Sequence, residues 1–165
     1  MTLQDLSAIK NLEIKKVQNP FRMGDFYGFG RVENLTMTNI SLKTYDILPR
    51  LFFPLYSLTQ LNLSHNMLTG ISEEVVADLG KLKTLDLSHN PISKILPSFL
   101  KFKNLETLII SLNENLFLSQ SDINNLPLSL KNLIVFEDQM SSSKVSEVLA
   151  LLKKTRPNLI VTVKK

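Results

Sequence analysis

Residues 58–68 read Leu-Thr-Gln-Leu-Asn-Leu-Ser-His-Asn-Met-Leu, and residues 82–92 read Leu-Lys-Thr-Leu-Asp-Leu-Ser-His-Asn-Pro-Ile. Both have apolar side chains at the same positions and polar ones between. Leu61-Asn62-Leu63 and Leu85-Asp86-Leu87 alternate at period two, which predicts a short strand with one face inward and the other in water. Asn66 and Asn90 then stand where the chain leaves the strand. A side-chain amide there can satisfy unpaired backbone groups of neighbouring units. A lone unit of this kind cannot bury its apolar edge, whereas stacked units can.

The same template runs along the whole chain, with copies starting near Ile9, Val32, Leu58, Leu82, Leu105 and Leu130. Each has an inward pair: Leu12 and Ile14, Leu35 and Met37, Leu61 and Leu63, Leu85 and Leu87, Leu108 and Ile110, Leu133 and Val135. A partial seventh coil over 159–165 alternates Leu159, Val161 and Val163 with Ile160 and Thr162. The returning segments keep phase as well. Phe29, Leu55, Leu79 and Phe102 precede the strands, with Phe26, Phe52, Val76 and Phe99 three residues earlier, a spacing that suits one turn of helix or 3₁₀ structure and marks all eight as core.

Two returns depart from the pattern. After Asn113 the apolar slot holds Asn115, so either the coil bulges or Asn115 takes the asparagine slot; Ser119 to Asn125 lacks the usual apolar pair and is expected to be an irregular loop. In the sixth copy Asp138 fills the asparagine slot. Lys144 to Thr155 then places Val145, Val148, Leu149 and Leu152 at helical spacing, with serines 141–143 before it and Pro157 after it. That helix and the lysine-rich last strand read as a C-terminal cap.

This pattern, L-x-x-L-x-L-x-x-N-x-L at steps of 23 to 26 residues, resembles the leucine-rich-repeat family from about Ile9 to Val163, with coils similar to those of Toll-like receptors. The resemblance implies an α/β solenoid, a horseshoe whose curved parallel sheet of six to seven short strands lines the concave side. Loops and 3₁₀ turns would cover the convex side, with one amphipathic helix near the C-terminus. Residues 1–165 are expected to form a single domain.

Composition narrows the function. There are 165 residues, 19 basic and 15 acidic, a net charge of +4 and a hydrophobic fraction of 44%. That balance is ordinary for one globular domain and too mild to imply a polyanion partner. With no cysteine the chain holds neither a disulfide framework nor a cysteine-based zinc site, and no apolar run approaches the length of a membrane span. The sequence shows no phosphate loop, nucleophile elbow or cysteine nucleophile, so no catalytic activity, cofactor or metal is expected. His65 and His89 share one slot in adjacent coils and are read as turn residues of the motif. As near neighbours, about 5 Å apart at the backbone, they could otherwise bind a metal or sense pH. No carboxylate occupies that slot in the next coil, where Leu112 stands.

The outward residues of the strands form three rows. The central row is Glu13, Thr36, Asn62, Asp86, Ile109 and Ile134; the row after it is Lys15, Thr38, Ser64, Ser88, Ser111 and Phe136. The face thus turns from charged and polar to apolar. Ile109, Ile134 and Phe136 are expected to face solvent as an anchor for a partner protein, with Asn62 and Asp86 setting specificity. The reading is a non-catalytic protein-interaction scaffold, placed in the cytoplasm on the cysteine-free and signal-free sequence. The alternative is a fragment of an extracellular Toll-like recognition receptor, favoured by the coil type and by sequons at Asn34, Asn39 and Asn62. Lys153, Lys154, Arg156, Lys164 and Lys165 offer a weaker nucleic-acid reading, and a structural spacer is a third. Ile9, Leu12 and Ile14 would leave an apolar edge open to self-association unless Met1 to Ser7 fold over it.

Overall fold

The computed structural model describes residues 6–16, 20–138 and 140–165. Seven strands pair in chain order into one parallel sheet: β1 (Asn11–Glu13), β2 (Asn34–Thr36), β3 (Gln60–Asn62), β4 (Thr84–Asp86), β5 (Thr107–Leu112), β6 (Asn132–Glu137) and β7 (Ile160–Lys164). The register follows the repeat without a slip: Leu12, Leu35, Leu61, Leu85, Leu108, Leu133 and Val161 stand side by side. This is the α/β solenoid the pattern predicts.

The strands stay in register because each inward leucine would be exposed by a one-residue slip. From Leu35 to Val135 the inward pairs are almost completely buried, each side chain contributing about 2 kcal/mol of apolar burial. Of the eight expected return residues, seven are buried; Phe29, in the first coil, is half-buried and packs against the core.

Asn66 and Asn90 hold neighbouring coils together. Asn66 donates to the Met37 and Leu63 carbonyls and accepts from the Ile40 and Leu42 N–H groups. Asn90 donates to the Leu63 and Leu87 carbonyls and accepts from Leu68 N–H at 2.9 Å. Each amide therefore pairs backbone groups that the turn leaves without a ladder partner.

The convex side carries 3₁₀ turns at Thr44–Asp46 and Pro97–Lys101 and three α-helices: α1 (Glu73–Asp78), α2 (Gln120–Asn124) and α3 (Ser142–Thr155). The fifth return is thus a short capped helix, not an irregular loop. Ser119 and Asp122 form a reciprocal capping box, and Ile123 and Leu126 supply the buried apolar pair. At its start the coil bulges: Asn113 Oδ1 accepts from Asn115 and Leu116 N–H, so Leu116 reaches the core and Asn115 remains exposed. In α3, Val145, Val148 and Leu152 are buried, and Leu149 is half-buried.

The coils at the two ends are less deeply buried than those in the middle. Ile9, Leu12 and Ile14 are half-buried, not bare; of Met1 to Ser7, the alternative to an open edge, residues 1–5 lie outside the described residues. In β7, Leu159, Val161 and Val163 are half-buried, while Ile160, Thr162 and Lys164 are exposed.

Candidate partner-binding face

β3 and β4 end after three residues because His65 and His89 turn the chain through the left-handed region, at φ 55° and 53°. Asn39 does the same after β2, at φ 55°. Asn and His enter that region more readily than most residues. At the equivalent place in the fifth coil stands Leu112, which has no such tolerance and an inward side chain that is fully buried. The strand therefore runs on, and β5 and β6 pair over six positions where β4 and β5 pair over three.

Longer strands widen the concave face, and the rows fall as expected. Asn62 aligns with Asp86, Asp86 with Ile109, Ile109 with Ile134 and Ile134 with Thr162. Ile109, Ile134 and Phe136 are half-buried, however, and not freely solvent-facing, because close neighbouring strands cover one another's side chains. The most exposed apolar side chain on this face is Ile160, at 62%, beside Asn132. Its outward place follows from the alternation of Leu159, Val161 and Val163 with Ile160 and Thr162.

In the third row Ser64, Ser88 and Ser111 are buried, not exposed. A run of rings follows that side of the face. The imidazoles of His65 and His89 stack with centroids 4.1 Å apart, His89 meets Phe136 at 4.7 Å, and the Lys164 ammonium lies 5.5 Å from the Phe136 centroid. Ser111, paired with Phe136 and accepting the His89 N–H at 2.8 Å, is small enough to let the two rings meet.

His89 Nδ1 is 2.9 Å from Asp138 Oδ2. Asp138 thus sends its carboxylate to a histidine two coils back, while its N–H donates to the Leu112 carbonyl. Asp138 lies outside the histidines' own slot, where extension of β5 places Leu112 inward, so the repeat spacing alone does not bring a carboxylate to them. Among the described residues no group of three or more His, Cys, Asp or Glu could hold a metal ion.

Asn62 and Asp86 spend part of their bonding capacity locally. Asn62 Oδ1 accepts Ser64 N–H, and Asp86 Oδ1 accepts both Ser88 N–H and Ser88 Oγ–H. With Ile109 they line a shallow hollow of 210 Å³ that also touches Thr36, Gln60 and Thr84. The five expected binding residues thus fall into two neighbouring groups: Asn62, Asp86 and Ile109 at the hollow, and Ile134 and Phe136 beyond it. Of the three sequons, Asn34 is half-buried with its Nδ2 donating to Asn11 Oδ1, Asn62 is half-buried with its Oδ1 accepting Ser64 N–H, and Asn39 is exposed. Among the described residues no helix is long and apolar enough to cross a membrane.

The model of the family described as leucine rich repeat matches residues 32–92. Adenylate cyclase of Schizosaccharomyces pombe is 40% identical over 81 residues, a stretch that is 48% of this chain and 5% of the cyclase. Among solved structures, a chain of the TLR13–ssRNA13 complex superposes with a TM-score of 0.63 at 20% identity, covering 81% of this chain and 19% of that one. The leucine-rich-repeat domain of APL1B does so at 0.55 and 19%, covering 72% and 35%. The chain spans only a small part of each of these proteins, and at such identities the structural matches show the fold. Residues 32–92 are leucine-rich repeats, and the chain from β1 to β7 has the leucine-rich-repeat fold.

Proposed function

We propose that the chain, acting as one repeat domain, is a non-catalytic interaction module that grips a folded partner protein through the concave face of its later coils. Arrays of the kind this chain resembles most often bind proteins, a reading by fold-level analogy. The observation that carries the reading is the change in that face from Asn62 and Asp86 to Ile109, Ile134, Phe136 and Ile160 across adjacent strands. Apolar anchors next to a polar surround are the arrangement that concentrates binding energy. A sheet held rigid by its asparagine bonds lowers the ordering cost of association. Asn62 and Asp86 supply polar contacts that favour one partner over others.

The test is quantitative affinity capture with the wild type and with an Ile109→Asp, Phe136→Asp variant. Neither side chain is in the buried core, so the variant should retain its circular dichroism spectrum. At least one protein retained by the wild type and lost from the folded variant is the expected result. An identical set of captured proteins would rule the reading out.

A further inference from the structure

The convex side of the first two returns carries a second surface, on residues that the concave face does not use. Met23, Tyr27, Phe53 and Tyr56 are 69%, 67%, 55% and 65% exposed. Tyr27 and Phe53 occupy the same place in successive coils, since each follows a buried phenylalanine, Phe26 or Phe52, whose rings stack 6.1 Å apart. Tyr56 lies back across the earlier coil. Its ring covers Gly30 so closely that a Cβ there would sit 2.2 Å from it. Tyr27, Phe53 and Tyr56 therefore belong to one two-coil strip, with Gly30 making room for Tyr56.

The strip ends sharply. In the third return, Ala77 and Gly80 stand where Phe53 and Tyr56 stand in the second, and Glu74 replaces Arg50. Scattered exposed apolar residues need no explanation, but a bounded aromatic group does.

Its charge identifies the partner. Three of the chain's four arginines, Arg22, Arg31 and Arg50, fall in these two returns; among the described residues none of them is in an ion pair within 4 Å, although Arg50 acts at longer range on the Asp78 carboxylate and Asp25 lies beside Arg22. The Arg50 guanidinium lies over the Phe53 ring, 4.7 Å from its centroid. Stacking uses the flat face of the guanidinium and leaves its N–H edge free for a carboxylate. Tyrosine, methionine and arginine are also the side chains enriched where proteins meet.

We infer that this strip is a docking surface for an acidic protein segment bearing apolar side chains, with Tyr27, Phe53 and Tyr56 taking the apolar groups and Arg50 a carboxylate. It is independent of the concave face, so either surface can fail its test without the other.

A random peptide library panned on immobilised protein tests it. Selected peptides should combine Asp or Glu with aromatic or aliphatic residues. Their affinity should fall about tenfold or more in a Tyr27→Ser, Arg50→Glu variant, which is about a 1.4 kcal/mol loss. It should be unchanged in the Ile109→Asp, Phe136→Asp variant and should weaken with salt. Selection of basic or uncharged peptides, no selection at all, or equal affinity for the Tyr27→Ser, Arg50→Glu variant overturns the inference. Two further results would also overturn it by assigning the strip elsewhere. One is binding to phosphatidylserine vesicles that this variant loses, without acidic-peptide selection. The other is concentration-dependent dimerisation, seen by sedimentation, that the variant abolishes.

Discussion

Coils three and four differ from coils five and six in one respect from which the rest follows. In the earlier pair a histidine takes the left-handed turn, the strand stops at three residues, and a buried asparagine ties the turn to its neighbour. In the later pair Leu112 continues the strand, six positions pair, and Asn113 bonds mainly within its own loop. The earlier pair presents Asn62 and Asp86 on the concave face and the later pair presents Ile109, Ile134 and Phe136. Within one solenoid the most regular coils fix register, and the departures carry the apolar surface proposed for binding.

Glycine substitution at the shared turn slot should separate the two kinds of coil most strongly. Leu112→Gly removes a fully buried side chain at the end of β5, at an expected cost of about 4 kcal/mol. His65→Gly places glycine in a conformation it favours and should change stability by less than about 1 kcal/mol. Urea unfolding of both variants measures this; similar costs at the two sites would erase the distinction.

The asparagines come next. Asn90→Ala strands buried backbone groups of Leu63, Leu68 and Leu87, and should cost about 3 kcal/mol. Asn113→Ala acts at a half-buried site whose bonds are largely local, and should cost about 1 kcal/mol. Equal losses in thermal melts would mean that the fifth coil is as firmly tied as the fourth.

A smaller effect lies on the convex side of the third coil. Burial raises the pKa of Asp78 above the ordinary aspartate value of 3.8, opposed by Arg50 and by the Phe52 and Arg50 N–H groups. Between the ordinary and the raised value the folded chain binds more protons, so stability falls as pH rises through that window and stays reduced above it. Asp78→Asn should therefore melt slightly higher than the wild type at neutral pH, and the difference should vanish near pH ~3. A variant that melts lower at neutral pH would contradict this sign.

The register was legible from residues 58–92 alone, because a leucine period fixes which side chains face inward and parallel stacking then sets every row. Strand length was not. It depends on whether one residue tolerates a left-handed turn, and the substitution of Leu112 for histidine carried that signal without being read as such. The helix over Gln120–Asn124 was missed because its apolar pair, Ile123 and Leu126, is shifted from the slot used by other coils. The Asp138–His89 contact spans two coils, beyond a search confined to one slot of adjacent units. The third-row serines look exposed in any alternating pattern; only the rings of His65, His89 and Phe136 along that side reveal them as covered.

The proposed binding resides in the later coils, not in the face as a whole. Two variants with the same charge change on the same face test it: Ile109→Asp with Ile134→Asp, and Thr36→Asp with Gln60→Asp. Their affinities for the captured partner, measured by titration calorimetry on samples with matching melting temperatures, should diverge. The expected loss is about tenfold or more for the first and less than about threefold for the second. Equal losses, or a larger loss from Thr36 and Gln60, would contradict it.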